Sequence, residues 1–184
     1  MTEVKWQDYL LRAQAFHGHL CSGQILGIRM GLAGLRLLNL TPGEKHRDLV
    51  LFIETDRCMA DAIHIVTGIT FGRRQIKWRD FGKAAVTFLD LASDRAFRVA
   101  SRSEPRPAHD EKDLTAFWSR YTDEEILIIH EVIVELKLED RPGRPLRRVP
   151  CSICGEDVLD GREVEVNGHY LCRACAGEAY YRIK

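Results

Sequence analysis

The sequence predicts an α+β fold: an antiparallel sheet packed with helices, one of them long and buried, followed by a small cysteine-rich module. Three observations support this prediction. The apolar run from Gln24 to Leu40 is long enough for a central buried helix. Four β-rich runs follow one another between residues 49 and 101, which indicates an antiparallel sheet beside the helices. Two Cys-x-x-Cys pairs occupy the last 34 residues.

The composition is that of a packed protein without a general attraction to polyanions. The 184 residues are 45% hydrophobic and 29% charged, with a formal net charge of zero. We therefore expect no membrane partner, and nucleic acid is an unfavourable one. The most apolar stretch, Ile25 to Leu40, contains Arg29 and Arg36, and the N-terminus lacks the apolar segment of a signal peptide. These features predict a cytoplasmic location.

The N-terminal third predicts two consecutive helices. Apolar residues recur at helical spacing from Trp6 to Phe16, and Gly18 should end that helix. Cys21 then opens the long helix, with Ser22 as a candidate cap. Four glycines recur along the long helix at spacings of three or four residues, which predicts close packing against another element: Gly23, Gly27, Gly31 and Gly34.

The next segment predicts a strand, a short loop and a helix. Leu49 to Thr55 has the composition of a buried strand. Asp56 is a candidate cap for a helix from Cys58 to Thr67, and Gly68 is a candidate stop. This order places Cys58 near a helix N-terminus, as is predicted for Cys21.

Strands are predicted at residues 74–78, 83–91 and 96–101, with hairpin turns at 80–82 and 93–94. Two helices should follow, at residues 111–120 and 123–136. The second carries an apolar stripe at helical spacing, made of Ile126, Ile129, Ile133 and Leu136.

Residues 139–150 contain three prolines and four arginines, which indicates an extended linker. The predicted domains are therefore a core at residues 1–138, the linker at 139–150 and a C-terminal module at 151–184.

The C-terminal module has the pattern of a structural zinc site. Seventeen residues separate Cys151-Ser-Ile-Cys154 from Cys172-Arg-Ala-Cys175, and four thiolates satisfy a tetrahedral zinc ion. Between the pairs, Asn167-Gly168 predicts a hairpin, and a helix is expected at residues 174–180. A knuckle, a hairpin and a helix resemble a treble-clef zinc finger. His169 is an alternative ligand, although four cysteines already close the shell.

The charge of the module argues against binding to nucleic acid. Residues 151–184 carry four basic side chains and six acidic ones, and four thiolates around zinc add negative charge. The arginines of the preceding linker keep that function as a weak alternative.

A second candidate metal site lies in the core domain. His17, His19 and Cys21 fall within five positions at a predicted helix start, and Cys58 can approach from the other helix. A helix N-terminus favours a thiolate, which promotes both metal binding and nucleophilic attack. In the alternative interpretation, the cysteines are small buried residues and the histidines bond to helix-end carbonyls.

Asp56 and Asp61 are candidates to orient a ligand histidine or to act as a general base. Together with Cys21 they are the candidate catalytic residues. His64 is predicted to be a packed or surface residue. Farther along, residues 67–74 combine glycines, hydroxyls and arginines in a possible anion-binding patch, with a solvated strand face as the alternative.

Several of these stretches together resemble the E-subunit family of formylmethanofuran dehydrogenase. Ser22 stands where that family usually has proline, and His64 stands where it often has glutamine or glutamate. The motifs that carry the resemblance are residues 16–23, 27–30, 56–63, 67–72 and 80–84, here Phe-His-Gly-His-Leu-Cys-Ser-Gly, Gly-Ile-Arg-Met, Asp-Arg-Cys-Met-Ala-Asp-Ala-Ile, Thr-Gly-Ile-Thr-Phe-Gly and Asp-Phe-Gly-Lys-Ala.

The resemblance implies an α+β core with an auxiliary treble-clef finger, a homodimer, and a core metal bound by His17, Cys21 and Cys58, with His19 as a further ligand. It implies an accessory protein or subunit of a molybdopterin-type molybdenum or tungsten oxidoreductase. The competing hypothesis is a stand-alone metal- or thiolate-dependent enzyme acting on a small anionic substrate. An open coordination position beside a pocket favours the enzyme, and a closed site favours the accessory role.

Overall fold

The computed structural model describes residues 5–184. Two compact units are present: the first ends at Glu135, and the second runs from Leu136 to Lys184. The first unit contains an antiparallel-rich sheet and helices, as the predicted α+β class requires. Among residues 5–184, no helix has the length and apolarity needed to cross a bilayer.

The two predicted N-terminal helices are confirmed. A 3₁₀ turn, Trp6–Tyr9, leads into α1, Leu10–His17, which ends at Gly18 with a φ of 94°. Helix α2, Ser22–Leu37, begins with Cys21 as its N-cap residue, so the prediction of Ser22 as the cap is wrong. The Ser22 hydroxyl instead accepts a hydrogen bond of 3.1 Å from the indole Nε1 of Trp118.

The close packing predicted for α2 is confirmed, and its glycines explain it. Ten of the sixteen residues of α2 are buried. A Cβ at Gly27 would lie 2.6 Å from the carbonyl oxygen of Met59, and one at Gly34 would lie 2.3 Å from the ring of Phe88. The missing side chains therefore let α2 contact both a neighbouring helix and the sheet.

Strand β1, Leu49–Ile53, precedes helix α3, Cys58–Thr67, in the predicted order. Gly68 ends α3 in the left-handed conformation with a φ of 67°, as predicted. The prediction that Asp56 caps α3 is wrong. The N-cap residue is Arg57, whose extended backbone gives no side-chain cap.

The sheet has the order β2-β1-β3-β4-β5. Its remaining strands are β2, Ile76–Trp78; β3, Ala85–Asp90; β4, Arg95–Ser101; and β5, Leu127–Val132.

Strand β1 pairs in parallel with β2 and antiparallel with β3. The hairpin predicted at residues 80–82 is therefore wrong, because the chain passes from one side of β1 to the other. The turn between β3 and β4 is confirmed, with Asp94 at a φ of 56°.

The helix predicted at residues 123–136 is wrong. Helix α5 covers only Asp123–Ile126, and the chain continues as β5 along the edge of β4. The β-branched run after Ile126 suits a strand, and pairing satisfies the backbone of β4. The preceding helix, α4, is shortened to Leu114–Trp118 and is capped by the Asp113 carboxylate, which accepts from the Ala116 amide at 2.8 Å.

A buried arginine fixes α2 to the segment that contains α4 and α5. Arg29 is only 4% exposed. It donates to the carbonyl oxygens of Trp118 and Tyr121 at 3.0 and 2.8 Å, and to Asp123 at 2.8 Å. Each guanidinium nitrogen thus has a partner, which offsets the cost of burying the charge.

The C-terminal unit consists of two small hairpins and a helical turn. Strands β6, Arg148–Pro150, and β7, Asp157–Leu159, pair with each other, as do β8, Val164–Val166, and β9, His169–Leu171. The turn of the second hairpin is the predicted Asn167-Gly168, with φ values of 50° and 80°. The helix predicted to reach Tyr180 is wrong, because Gly177, at a φ of 104°, ends a single turn at Ala174–Glu178.

Candidate metal centres and the neighbouring cavity

The junction of α1 and α2 brings two histidines and a cysteine together. His17 is the last residue of α1, Gly18 reverses the chain, and Cys21 precedes α2. One ligand atom from each of His17, His19 and Cys21 lies within 4.8 Å of the other two. Two imidazoles and one thiolate form a donor set that suits zinc and other borderline transition metals.

Cys58 stands beside this group and is not one of the three residues that share the 4.8 Å distance. It begins α3 next to Gly23 of α2. A Cβ at Gly23 would lie 3.2 Å from Cys58 Cβ and 3.7 Å from Cys21 Sγ. The absence of a side chain at Gly23 therefore lets the two cysteines approach each other.

The Cys21 thiol has a pKa above its ordinary value. Burial is the largest cause, and the neighbouring Cys58 thiol adds to it, while the backbone N–H groups of Gln24 and Gly23 act in the opposite direction. The expectation that the helix N-terminus alone favours a thiolate here is therefore wrong. A bound cation would supply the missing stabilisation of the thiolate.

Asp61 holds the His17 imidazole in place. The Nδ1 of His17 lies 2.8 Å from Oδ2 of Asp61, which projects from the first turn of α3. In the tautomer that donates from Nδ1, the Nε2 atom keeps its lone pair for a metal. A carboxylate that bonds the outer nitrogen in this way is the usual companion of a metal-ligating histidine.

An apolar cavity of about 450 Å³ adjoins this pair. Asp61 contributes to the cavity and also bonds His17, so the cavity lies next to the group of metal ligands. The cavity is lined by Phe16, Ile53, Thr55, Asp56, Ala60, Asp61, His64, Thr70, Phe71, Ile76 and Trp78. Aromatic and aliphatic side chains with a few polar groups are typical of a binding site for a small organic molecule.

The placement of Asp56 in the cavity depends on an ion pair at the end of β1. Arg98 on β4 donates from two nitrogens to the two carboxylate oxygens of Glu54, both at 2.7 Å. These bonds raise the pKa of the Arg98 guanidinium above its ordinary value. Because Glu54 is held, the following residues Thr55 and Asp56 are fixed at the cavity wall.

His64 also lines the cavity, contrary to the prediction of a packed or surface residue. Its Nδ1 donates to the carbonyl oxygen of Ile69 at 2.7 Å, which leaves Nε2 as a hydrogen-bond acceptor. The sequence contained a signal for this position, because Asp61 and His64 are three residues apart on one helix and share a face. The aromatic lining from Phe71 and Trp78 had no comparable local signal.

The four C-terminal cysteines also converge. One sulfur atom from each of Cys151, Cys154, Cys172 and Cys175 lies within 4.8 Å of the others. Backbone N–H groups of Cys154 and Cys172 lower the pKa of Cys151 to about 6, whereas the Cys172 thiol raises the pKa of Cys175 to about 12. Four crowded sulfur atoms of this kind fit a tetrahedral metal such as zinc. His169 is exposed and lies outside this group.

Comparison with known proteins decides the family. The family model described as FmdE, molybdenum formylmethanofuran dehydrogenase operon, matches residues 16–135, which is about two thirds of the chain. The chain belongs to the FmdE family. The predicted resemblance to this family is therefore confirmed. The matched FmdE region contains the His17, His19 and Cys21 group and ends before the four C-terminal cysteines.

Two individual proteins are similar over almost the whole chain. A "Probable S-adenosyl-L-methionine-binding protein" of Archaeoglobus fulgidus is 28% identical over 211 aligned positions, which cover 98% of this chain and 56% of the relative. This FmdE-family chain therefore spans little more than half of that relative's length.

The second is a solved structure. The crystal structure of an FmdE-like protein of tungsten formylmethanofuran dehydrogenase from Syntrophus aciditrophicus matches with a TM-score of 0.62 at 21% identity. The match covers 98% of this chain and 96% of that one. At this level of identity, the match shows a shared fold.

Proposed function

We propose that this protein is a metal-binding accessory protein or subunit of a molybdenum or tungsten oxidoreductase system. The observation that carries the proposal is the group of His17, His19 and Cys21 within 4.8 Å, with His17 bonded to Asp61. The association of the FmdE family with the formylmethanofuran dehydrogenase operon supports an oxidoreductase partner.

His17, His19 and Cys21 would hold a divalent metal in the core centre, with Cys58 as the candidate for a fourth ligand. When bound, the metal would supply Lewis acidity and lower the pKa of a bound water. Asp61 keeps the His17 ring in one orientation, and the packing of α2 against α3 sets the approach of the two cysteines. The protein thus provides a preorganised donor set whose geometry changes little on metal binding.

The second unit is proposed to be a treble-clef finger with one structural zinc on Cys151, Cys154, Cys172 and Cys175. Four thiolates close the coordination shell, which excludes a substrate from the metal. A unit with few buried residues gains much of its stability from such an ion. The homodimer and the cytoplasmic location belong to the same proposal: the family resemblance supports the dimer, and the unpaired state of the cysteines fits a reducing compartment.

A second candidate function is a stand-alone metal- or thiolate-dependent enzyme, and the cavity beside Asp61 favours it. Three protein ligands leave a coordination position for water or a substrate, and a bound molecule in the cavity would lie next to that position. In this case Asp56 or Asp61 would act as the base, and Cys21 as metal ligand or nucleophile. The two carboxylates make the cavity itself unsuitable for an anionic group.

The name of the Archaeoglobus relative supplies a defined compound to test in the cavity. S-adenosyl-L-methionine offers an adenine ring to the aromatic side chains and positive charge to Asp56 and Asp61. Saturable binding that is weakened by Asp56→Asn would support a nucleoside-type ligand. The same affinity in wild type and variant would remove this compound from consideration.

Metal analysis tests the leading proposal. The purified wild-type chain should contain zinc at the four C-terminal cysteines and a second metal at the core centre. A double variant, Cys21→Ser with Cys58→Ser, should lose the second metal and keep the zinc, while Cys151→Ser should lose the zinc alone. If the double variant keeps both its metal content and its metal-dependent melting temperature, the core cysteines only pack and the proposal fails.

A further inference from the structure

Two cavities of opposite chemistry meet at one turn of the first unit. The apolar cavity beside Asp61 and a second cavity of about 240 Å³ both include Thr70 in their walls. Thr70 is followed by a 3₁₀ turn, Phe71–Arg73. Phe71 faces the apolar cavity, and Arg73 lines the second one. A single short segment therefore separates the two cavities.

The second cavity is basic. Three cations line it, Lys45, Arg47 and Arg73, against one acidic residue, Glu44. Within residues 5–184, none of these three cations forms an ion pair with another side chain. Their charge is therefore available to an anionic group of a ligand.

The backbone of this basic cavity is held in place from below by a buried glutamine. Gln75 is 4% exposed. Its amide nitrogen donates to the carbonyl oxygens of His46 and Leu49 at 2.7 and 2.8 Å. The His46 ring bonds in turn to the carbonyl oxygen of Thr41 at 2.8 Å. The loop that presents Lys45 and Arg47 is thus fixed to the start of β1.

The wall shared with the apolar cavity is fixed in a similar way. His64 in α3 donates to the carbonyl oxygen of Ile69 at 2.7 Å. The Thr67 hydroxyl donates to the carbonyl oxygen of Ile63 at 2.8 Å and accepts from the Ile69 amide at 3.3 Å. These bonds connect the end of α3 to the segment just before Thr70, so both cavities share a stable boundary.

The apolar cavity differs from the basic one in the groups it can accept. Within the described part of the chain, its lining contains no lysine or arginine, and it contains the carboxylates of Asp56 and Asp61. Phe16, Phe71 and Trp78 are each partly exposed and offer ring faces to a flat molecule. An uncharged planar group is therefore favoured there and an anionic group is not.

We propose that the two cavities form one bipartite site for an organic ligand with a planar, uncharged head and an anionic tail. The head would lie in the apolar cavity beside the core metal centre, and a phosphate or carboxylate tail would contact Arg73, Lys45 and Arg47. This inference rests on the proposed function, because it assigns the ligand that works next to the metal. It also reconciles an anionic substrate with the acidic lining near His17.

Titration calorimetry of the full chain as purified tests the proposal with four probes. Adenosine carries the head alone, adenosine 5′-phosphate adds a phosphate tail, adenosine-5′-carboxylic acid adds a carboxylate, and inorganic phosphate is the tail alone. At least one tailed probe should bind about tenfold more tightly than adenosine, and phosphate alone should bind more weakly than that probe. The stronger of the two tailed probes identifies the tail.

Variants locate the two halves of the site. Arg73→Ala and Lys45→Ala should each remove most of the advantage of the tailed probe over adenosine, whereas Phe71→Ala should weaken adenosine and the tailed probe to a similar degree. Lys112→Ala, which removes an exposed lysine outside both cavities, is the control and should change neither affinity.

Equal affinities for adenosine and both tailed probes, or no binding by any of the four, would overturn the bipartite site. Metal content is measured on the same samples, because Arg73→Ala and Lys45→Ala should leave it unchanged. A chain that keeps its core metal and fails to distinguish the probes refutes this inference alone. A chain without core metal refutes the proposed function instead.

Discussion

His17 connects the candidate metal ligands to the cavity, because its second ring nitrogen bonds to a carboxylate that lines the cavity wall. The 2.8 Å bond from Nδ1 to Asp61 selects one tautomer and directs Nε2 away from the carboxylate. Such a partner raises the basicity of the ligating nitrogen and fixes the ring. The residue-scale account therefore assigns Asp61 a positioning role and Asp56 a separate place in the cavity.

Replacing Asp61 with asparagine tests this assignment. Asp61→Asn should lower the affinity of the core centre for metal by about 10- to 100-fold, because the outer carboxylate no longer supports His17. Competition with a chromophoric chelator measures the affinity. Asp56→Asn, which removes a carboxylate of the same cavity that makes no bond to His17, should leave it unchanged. Equal loss in both variants would mean a general charge effect of the acidic wall.

Local residue chemistry accounts for what could be predicted at this scale. Gly18, Gly68 and the Asn167-Gly168 pair were all assigned correctly, because a positive φ is a demand that one or two residues meet by themselves. The cavity-lining roles of His64 and Trp78 were not, because they depend on the distant segment that ends α3 and on the edge strand β2.

The packing of α2 against α3 is the element-scale feature on which the core centre depends. Cys21 precedes the first of these helices and Cys58 begins the second, so the distance between the two helix starts sets the distance between the thiols. Gly27 and Gly31 bring the helices together farther along: a Cβ at Gly31 would lie 3.0 Å from Val66.

A single methyl group at this contact should have a measurable cost. Gly27→Ala places a Cβ 2.6 Å from the carbonyl oxygen of Met59, and backbone has to move to accept it. We expect a loss of about 1–3 kcal/mol in the free energy of unfolding, measured by urea denaturation. Gly72→Ala is the control, because a Cβ there contacts nothing within 4 Å. If Gly27→Ala is as stable as Gly72→Ala, the close approach of α2 and α3 is incorrect.

The errors in element prediction arose from pairings that no local pattern contains. Residues 126–136 place isoleucines at helical spacing, yet the same run is β-branched, and the exposed edge of β4 decided in favour of a strand. The parallel pairing of β1 with β2 likewise depends on the path of the chain across β1. Helices α2 and α3 were predictable because their apolar faces are continuous in sequence.

At the scale of the whole molecule, the chain divides into a unit with the core centre and a unit with four clustered cysteines. The first has a large hydrophobic core, and the second has three buried apolar residues with two partly buried cysteines packed against them, Cys172 and Cys175. Stability in the second unit should therefore depend on its metal far more than in the first.

Truncation tests whether the core is independent, as the predicted boundary at residues 138–139 proposes. A chain of residues 1–138 should fold cooperatively and keep one metal, because the ligands and the sheet of the first unit are retained. Circular dichroism and metal analysis of the truncated chain measure this. A matched full-length Cys172→Ser variant should lose zinc and keep the core transition. Collapse of the truncated core would show that the second unit is needed for its folding or for dimer formation.

The central claim is that His17, His19 and Cys21 bind a metal in the core. Anomalous X-ray diffraction from crystals of the purified chain, recorded on both sides of the absorption edge, tests it most directly. The account predicts two peaks per chain: one among the four C-terminal cysteines, and one about 2.0–2.3 Å from the donor atoms of these three residues. A single peak at the C-terminal cysteines, from a chain supplied with metal throughout purification, would contradict the claim.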